Sequence, residues 1–311
     1  MKDLIRLIAE HSLTYAPHHV AEKLGYFTDA GVEVATSYQS GPGGSWLADV
    51  LARGEADIAR GGVWIPMMYR GHLEDLRIFA ALCHRNTQVL LSRQAETGFT
   101  LRDLIGRRVL LPMAATSQWM YIRGLFEEAG LPWHEVRWLC DLEGSTMRRL
   151  WRSGYADYLL ASSPAADELL AEGYHAALEI ADTGAVPWSV YYAPAATAVR
   201  RAGVLTRFTA ALARASAWIN EAPAAESARL LAPDFPGHRT ADLARSIERM
   251  RVQNTWSPDM RVPEAPLARY QRMIASYGLI PAPLPHGDIV APEIAQASLS
   301  IRHERPLAAL S

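Results

Sequence analysis

The sequence predicts an α/β protein of two open, mostly parallel lobes with a cleft between them. Three observations point there. Short strand-like runs alternate with helix-like runs from Leu4 to Glu172, which is the grammar of parallel strands joined by covering helices. A segment near the start repeats near the middle: Gly54, Ala56 and Asp57 are matched by Gly154, Ala156 and Asp157, a constant offset of 100 (157 − 57). The chain has 311 residues, 50% of them hydrophobic, enough to bury the cores of two lobes.

In the first half, Leu4 to Glu10 has strand length, and His18 to Ala30 reads as a helix closed by Gly31. Val32 to Ser37 is a strand, Ser45 to Arg53 a helix, and Ala56 to Ala59 and Leu76 to Cys83 are strands. A second round begins at Thr100, whose spacing from Asp103 is that of a capping box. Arg108 to Leu111, Glu135 to Cys140 and Ala156 to Ser162 read as strands, with helices over Ser117 to Ala129 and Ser145 to Ser153. Ser163-Pro164 supplies an N-cap and first-turn proline for a helix reaching Glu172. Beyond Ala195 the pattern is helical: Ala196 to Asn220, Pro223 to Leu231, Thr240 to Met250 and Pro263 to Tyr277, expected to wrap the first lobe. The repeat pairs LADVLARGEADIA (Leu47 to Ala59) with MRRLWRSGYADYLL (Met147 to Leu160). In each copy an apolar helical face stops at a glycine and a buried strand follows.

Several function classes drop out on bulk properties. A formal net charge of −2 without long runs of one sign lacks the basic footprint of a nucleic-acid binder. The expected partner is a small molecule. No apolar run approaches the ~20 residues of a membrane span. MKDLIRLIAEHSL lacks a secretory leader's basic start, long apolar middle and cleavage site, so the chain as written is expected in the cytoplasm. A chain trimmed to a mature start would read the same and would belong in the periplasm. Cys83 and Cys140 are too few for a disulfide framework or a cysteine-based metal site and read as buried thiols, a single bridge being the other option. No metal and no cofactor are expected.

The order of segments resembles the type II periplasmic-binding-protein fold, in the branch that includes nitrate, sulfonate and taurine binders and thiamine-pyrimidine synthases. YAPHHVAEKLGYFTDAGVEV (Tyr15 to Val34) is similar to that branch's first helix and second strand. LADVLARGEADIARGG resembles its second helix and third strand. TLRDLIGRRVLLP with ATSQWMYIRGLFEEAGL resembles the entry to the second lobe, and LIPAPLPHGDIVAPEIAQAS its closing helices. The resemblance implies lobes over residues 1–88 plus 190–311 and over 89–189, joined by crossings near Arg85 to Leu90 and Pro187 to Ala193. It also implies a ligand clamped between them.

Open-sheet physics puts ligands at the carboxyl ends of parallel strands, where helix N-termini offer free N–H groups to an anionic or strongly polar group. Gly43, Gly44 and Ser45 form one such start, and Thr116 and Ser117 the facing one. Both also read as ordinary N-capping. Arg60 interrupts the apolar strand end ADIARGG and could make a two-pronged contact with a carboxylate, sulfonate or sulfinate, or a structural ion pair. Trp46, Trp64, Trp119 and Trp188 fall beside strand ends or a crossing and would suit an aromatic or heterocyclic ligand body, or the core. His18 and His19 begin the first helix beside Tyr15; Tyr15 and His18 are candidate ligand contacts, with a surface or cap role as the alternative for the histidine. The neighbouring rings of His18 and His19 point about 100° apart and do not chelate. Cys83-His84 lie on a strand and face opposite ways, which disfavours a thiol–imidazole pair.

The expected function is a solute-binding protein, similar to the receptors of ABC transporters, that closes on a small anionic molecule, with an ABC permease as the expected membrane partner. The alternative is a cytoplasmic lyase or hydrolase on the same fold. The chain resembles the aromatic sulfinate desulfinase in LTY, Arg60-Gly61-Gly62 and APEIAQASL, but YAPHH has no cysteine where that enzyme needs one. The fungal thiamine-pyrimidine synthase needs a cofactor-binding lysine and a cysteine-rich run, whereas Lys2 and Lys23 are the only lysines here.

Overall fold

A computed structural model describes residues 2–38, 46–112 and 116–301. Its strands form two five-stranded sheets. The first contains β1 (Asp3–Ala9), β2 (Val32–Tyr38), β3 (Ile58–Gly62), β4 (Leu76–Cys83) and β10 (Ser189–Pro194), in the order β2-β1-β3-β10-β4. The second contains β5 (Val89–Ser92), β6 (Arg108–Pro112), β7 (Arg137–Leu142), β8 (Tyr158–Ala161) and β9 (His175–Glu179), in the order β7-β6-β8-β5-β9. The orders are the same once β1, β2, β3 are read as β6, β7, β8. In each sheet the fourth strand, β10 or β5, runs antiparallel to both neighbours while the first three are parallel. Those two strands are where the chain enters one lobe and returns to the other.

The sequence repeat has a physical basis at both ends. Gly54 and Gly154 sit at φ 69° and 87°, a left-handed conformation that glycine adopts without strain. They close α3 (Trp46–Ala52) and α6 (Gly144–Arg152). The amides of Gly54 and Glu55 reach Leu51 O and Val50 O, and those of Gly154 and Tyr155 reach Trp151 O and Leu150 O. This is the same double-bonded helix stop twice. Asp57 then accepts from the Arg6 amide at 2.9 Å while its own amide donates to Arg6 O. Asp157 does the same with Arg108, at 2.9 Å. The repeated aspartate therefore sets the register of the third strand against the first in each sheet.

Three expected elements are shaped differently. The first helix divides into α1 (Ala16–Lys23) and α2 (Tyr26–Asp29) at Gly25, whose φ is 73°. The long helix over Ala196 to Asn220 divides into α8 (Ala195–Arg200) and α9 (Ala202–Glu221). At that break Arg201 leaves helical geometry and its guanidinium pairs with Asp57 at 3.2 Å. Ser163 does not cap α7 (Ala165–Ala171); its hydroxyl donates to Asp167 at 2.7 Å. The Thr100 capping box is present as expected. The short strands β5, β9 and β10 and the helix α4 (Trp64–Tyr69) carry no strong periodicity and were not legible.

The carboxyl-terminal helices do not all wrap the first lobe. α9 packs on α1, and α14 (Pro292–Ser298) on α9 and β4; α10 (Ala224–Leu231) leads into α11 (Thr240–Val252), which lies against α7. α12 (Glu264–Tyr277) lies against α5 (Thr116–Glu128), and α13 (His286–Ile289) follows it beside β4. Arg249 of α11 binds Asp167 at 2.9 Å and Glu179 at 3.0 Å, and reaches Thr87 O in the segment between β4 and β5. Burial would raise the Asp167 carboxyl, but hydrogen bonds and charge from Arg249 hold it below its usual range. The segments joining the lobes run side by side: Val186 N donates to His84 O, Trp188 N to Cys83 O, and Ile180 N to Gln88 O.

Gly124 lets α5 and α12 touch. A Cβ there would lie 2.3 Å from Met273 Cγ and 2.7 Å from its Cβ. Gly124→Ala is expected to lower unfolding free energy by ~1–2 kcal/mol, overpacking outweighing the better helix propensity of alanine. Urea denaturation checks this, and a stabilised variant would contradict the close approach.

Candidate functional site

A cavity of about 60 Å³ lies where the carboxyl ends of the two sheets face each other. Four chain segments build it. Glu10 follows β1, and Tyr15 precedes α1; Gly62 ends β3, and Trp64 opens α4. Ser117 and Gln118 come from the first turn of α5, and Trp188 and Ser189 from the return into β10. A volume of that size holds a few waters or the polar head of a small molecule. The first backbone N–H groups of α5 have no acceptor inside their helix, so this wall is rich in donors.

The lobes meet across the cavity. Trp64 Nε1 donates to Ser117 Oγ at 2.8 Å, and the Tyr270 hydroxyl donates to Ser117 O at 3.3 Å. The Trp188 ring lies edge-on to Tyr121 at 5.6 Å. Gly62 is required for the Trp64 indole to fold over the end of β3, since a Cβ would stand 2.5 Å from Trp64 Nε1.

Behind the Tyr15 wall lies Arg60, fully buried at 0% exposure. Its guanidinium stacks 4.1 Å from the Tyr15 ring centroid, and Nη2 donates to Glu10 O at 2.7 Å. Nε and Nη1 have no hydrogen-bond partner among the described residues, and no carboxylate there pairs with this cation within ion-pair distance. Arg60 thus does not line the cavity; it supplies positive potential from one layer behind.

His18 is also fully buried and contributes no surface to the cavity. Its Nδ1 lies 2.9 Å from the Tyr191 hydroxyl and its Nε2 3.1 Å from Glu22, which in turn accepts from Thr36 at 2.6 Å. This chain of hydrogen bonds ties α1 to β2 and β10 under the site. His19 stacks on Tyr38, with centroids 5.9 Å apart. Burial and the nearby Arg60 charge push both imidazoles below their usual range, His19 to about 2.

Of the other expected contacts, Thr116 opens α5 but is not in the cavity lining. Trp119 turns into an edge-to-face trio with Trp133 and Trp138, at 5.6 and 5.0 Å. Trp46 packs against the core shared by the two lobes. Gly43, Gly44 and Ser45 lie outside the described residues. Tyr15, Trp64, Ser117 and Trp188 do line the cavity. Sequence reasoning missed Glu10, Gly62, Gln118 and Ser189. The available signal was Glu10 itself, an acid placed where an apolar strand reaches its carboxyl end. Cys83 lies beside this region, donates to Thr14 O at 3.1 Å, and is pushed up to about 12 by burial. It is a thiol at neutral pH, not a nucleophilic thiolate.

Since the folded-state values of His18 and His19 are depressed, the unfolded chain binds more protons below pH ~6.5. Stability is then fully present above that pH and is lost as pH falls toward the folded-state values, by up to about 1.4 kcal/mol per pH unit for each ring. The thermal midpoint is expected to drop between pH 7.5 and 5, with a shallower drop in His19→Gln. A flat profile would contradict the neutral burial of these rings.

Known proteins share this architecture. "Putative binding protein YtlA" of Bacillus subtilis (strain 168) is 24% identical over 291 residues, spanning 92% of this chain and 86% of YtlA. The periplasmic aliphatic sulphonate binding protein SsuA of Escherichia coli superposes with a TM-score of 0.75 at 16% identity, over 95% of this chain and 100% of SsuA. The desulfurization enzyme DSZB superposes with a TM-score of 0.65 at 17% identity, over 95% and 99% of the two chains. At such identities the structural likenesses establish the shared two-lobe fold alone. The pattern that defines the NMT1/THI5-like family matches residues 12–226, and the chain belongs to that family.

Proposed function

We propose that the chain is a solute-binding protein that closes its lobes over a small molecule bearing an acidic group. The observation that carries this reading is the cavity built jointly by both lobes and bridged by the Trp64–Ser117 hydrogen bond. A closed form with an internal polar space is what ligand capture by lobe closure requires. The acidic group would meet the donor-rich first turn of α5, with Arg60 adding positive potential from behind Tyr15. We take the moving units as residues 1–88 plus 190–311 and residues 89–189, with α11 and α12 bracing the second.

YtlA is named as a binding protein and SsuA as a periplasmic sulphonate binder, and both support capture over turnover. They favour the periplasmic side of the two locations that the sequence left open, and delivery to a membrane partner such as an ABC permease. Among the described residues no helix is long and apolar enough to cross a membrane.

Native mass spectrometry of freshly purified protein is expected to show a retained small molecule that is released on denaturation. Ser117→Phe, which fills the cavity from α5, is expected to abolish retention while the thermal midpoint stays within a few degrees. Absence of any retained or added solute, or undiminished retention in Ser117→Phe, would contradict the reading.

A further inference from the structure

The polarity of the cavity is uneven. Its second-lobe wall offers donors: the first turn of α5 and the Gln118 amide. Its first-lobe wall carries Glu10, a carboxylate with about four acceptor positions. Among the described residues one hydrogen bond reaches that carboxylate, a long one of 3.5 Å from the Tyr15 hydroxyl to Oε2, and no cation pairs with it. Arg60 is near, but its Nη2 is engaged by the Glu10 backbone oxygen and its face by the Tyr15 ring. Among the described residues no lysine, arginine or histidine lines the cavity.

A largely enclosed carboxylate with so few donors is costly to keep, and an acidic solute pressed against it would be repelled. Burial holds the Glu10 carboxyl above its usual range, with Arg60 only partly opposing, which is the mark of a charge short of partners. A donor on the ligand would supply them.

We propose that Glu10 is the specificity-determining residue of the cleft, accepting hydrogen bonds from an N–H donor on the solute. The captured molecule then carries an ammonium, amidinium or amino-heterocyclic group facing β1, opposite the acidic group that faces α5. This rests on the solute-binding reading and narrows it: a plain acid satisfies only one wall.

The test uses matched probes with the 311-residue chain: 3-aminopropanesulfonate against propanesulfonate, and 4-aminobutyrate against butyrate. Calorimetric titration is expected to favour the amino member of the best-binding pair by roughly 10- to 100-fold, the range of a charge-assisted hydrogen bond. Glu10→Gln is expected to erase that preference and to keep or raise the thermal midpoint, because it removes an under-partnered charge; a merely structural acid would lower it. Equal or tighter binding of the plain acids, or an unchanged preference in Glu10→Gln, overturns the proposal. The elemental composition of any solute retained in native mass spectrometry is a second, independent readout: a solute without nitrogen overturns the Glu10 assignment and leaves solute binding standing. If no probe binds and nothing is retained, both readings fall together.

Discussion

Two strands, β5 and β10, constrain everything else in this molecule. Each runs antiparallel inside an otherwise parallel sheet, and each is the strand by which the chain changes lobes. A strand that enters a parallel sheet backwards begins at the edge where its neighbours end. The crossings are thereby pinned to the carboxyl ends of both sheets, and those ends are made to face one another. Trp188 and Ser189 reach the cavity for this reason: they are the first residues of the return into β10. The connecting segments are bonded to each other through His84, Cys83 and Gln88, so the lobes share one seam.

The first-lobe wall depends on a second layer. Tyr15 lines the cavity and its ring lies against the Arg60 guanidinium, while Arg60 fixes the backbone at Glu10. Below them the Tyr191–His18–Glu22–Thr36 chain holds α1 against β2 and β10. Side chains that sequence reasoning places at the ligand thus divide between those that touch the cavity and those that hold the touching ones still. Arg60 and His18 belong to the second kind, where burial rather than chemistry conceals the distinction: an arginine at a strand end reads alike whether its head turns into the cleft or under a neighbouring ring.

Much of the fold was legible because it is written in local rules. The apolar run Leu76–Cys83 is a strand at its expected bounds, and the paired glycines and aspartates of the repeat announce equivalent helix stops and strand starts. What was not legible depends on distant partners. VLLS and SVYYAP are too short to carry a period, and become strands because a gap between β8 and β9, or between β3 and β4, accepts them. α11 and α12 have amphipathic patterns that say one face is buried but not against which lobe. Gly124 opposite Met273 and Asp167 opposite Arg249 decide that. In the site, Tyr15, Ser117 and Trp188 were readable from their places at helix starts and a crossing. Glu10 carried only an ambiguous signal, because an acid after an apolar run is usually a solvated strand end.

The cavity between the two lobes thus has Glu10 on one side and the first turn of α5 on the other, with Trp64 and Trp188 in its lining and the buried Arg60 behind Tyr15. A crystal structure of the protein with its retained solute tests this most directly. The account predicts electron density between Glu10 and the first turn of α5, beside Trp64 and Trp188, with the lobes closed around it. Density on an outer surface, with that space filled only by water, would contradict it.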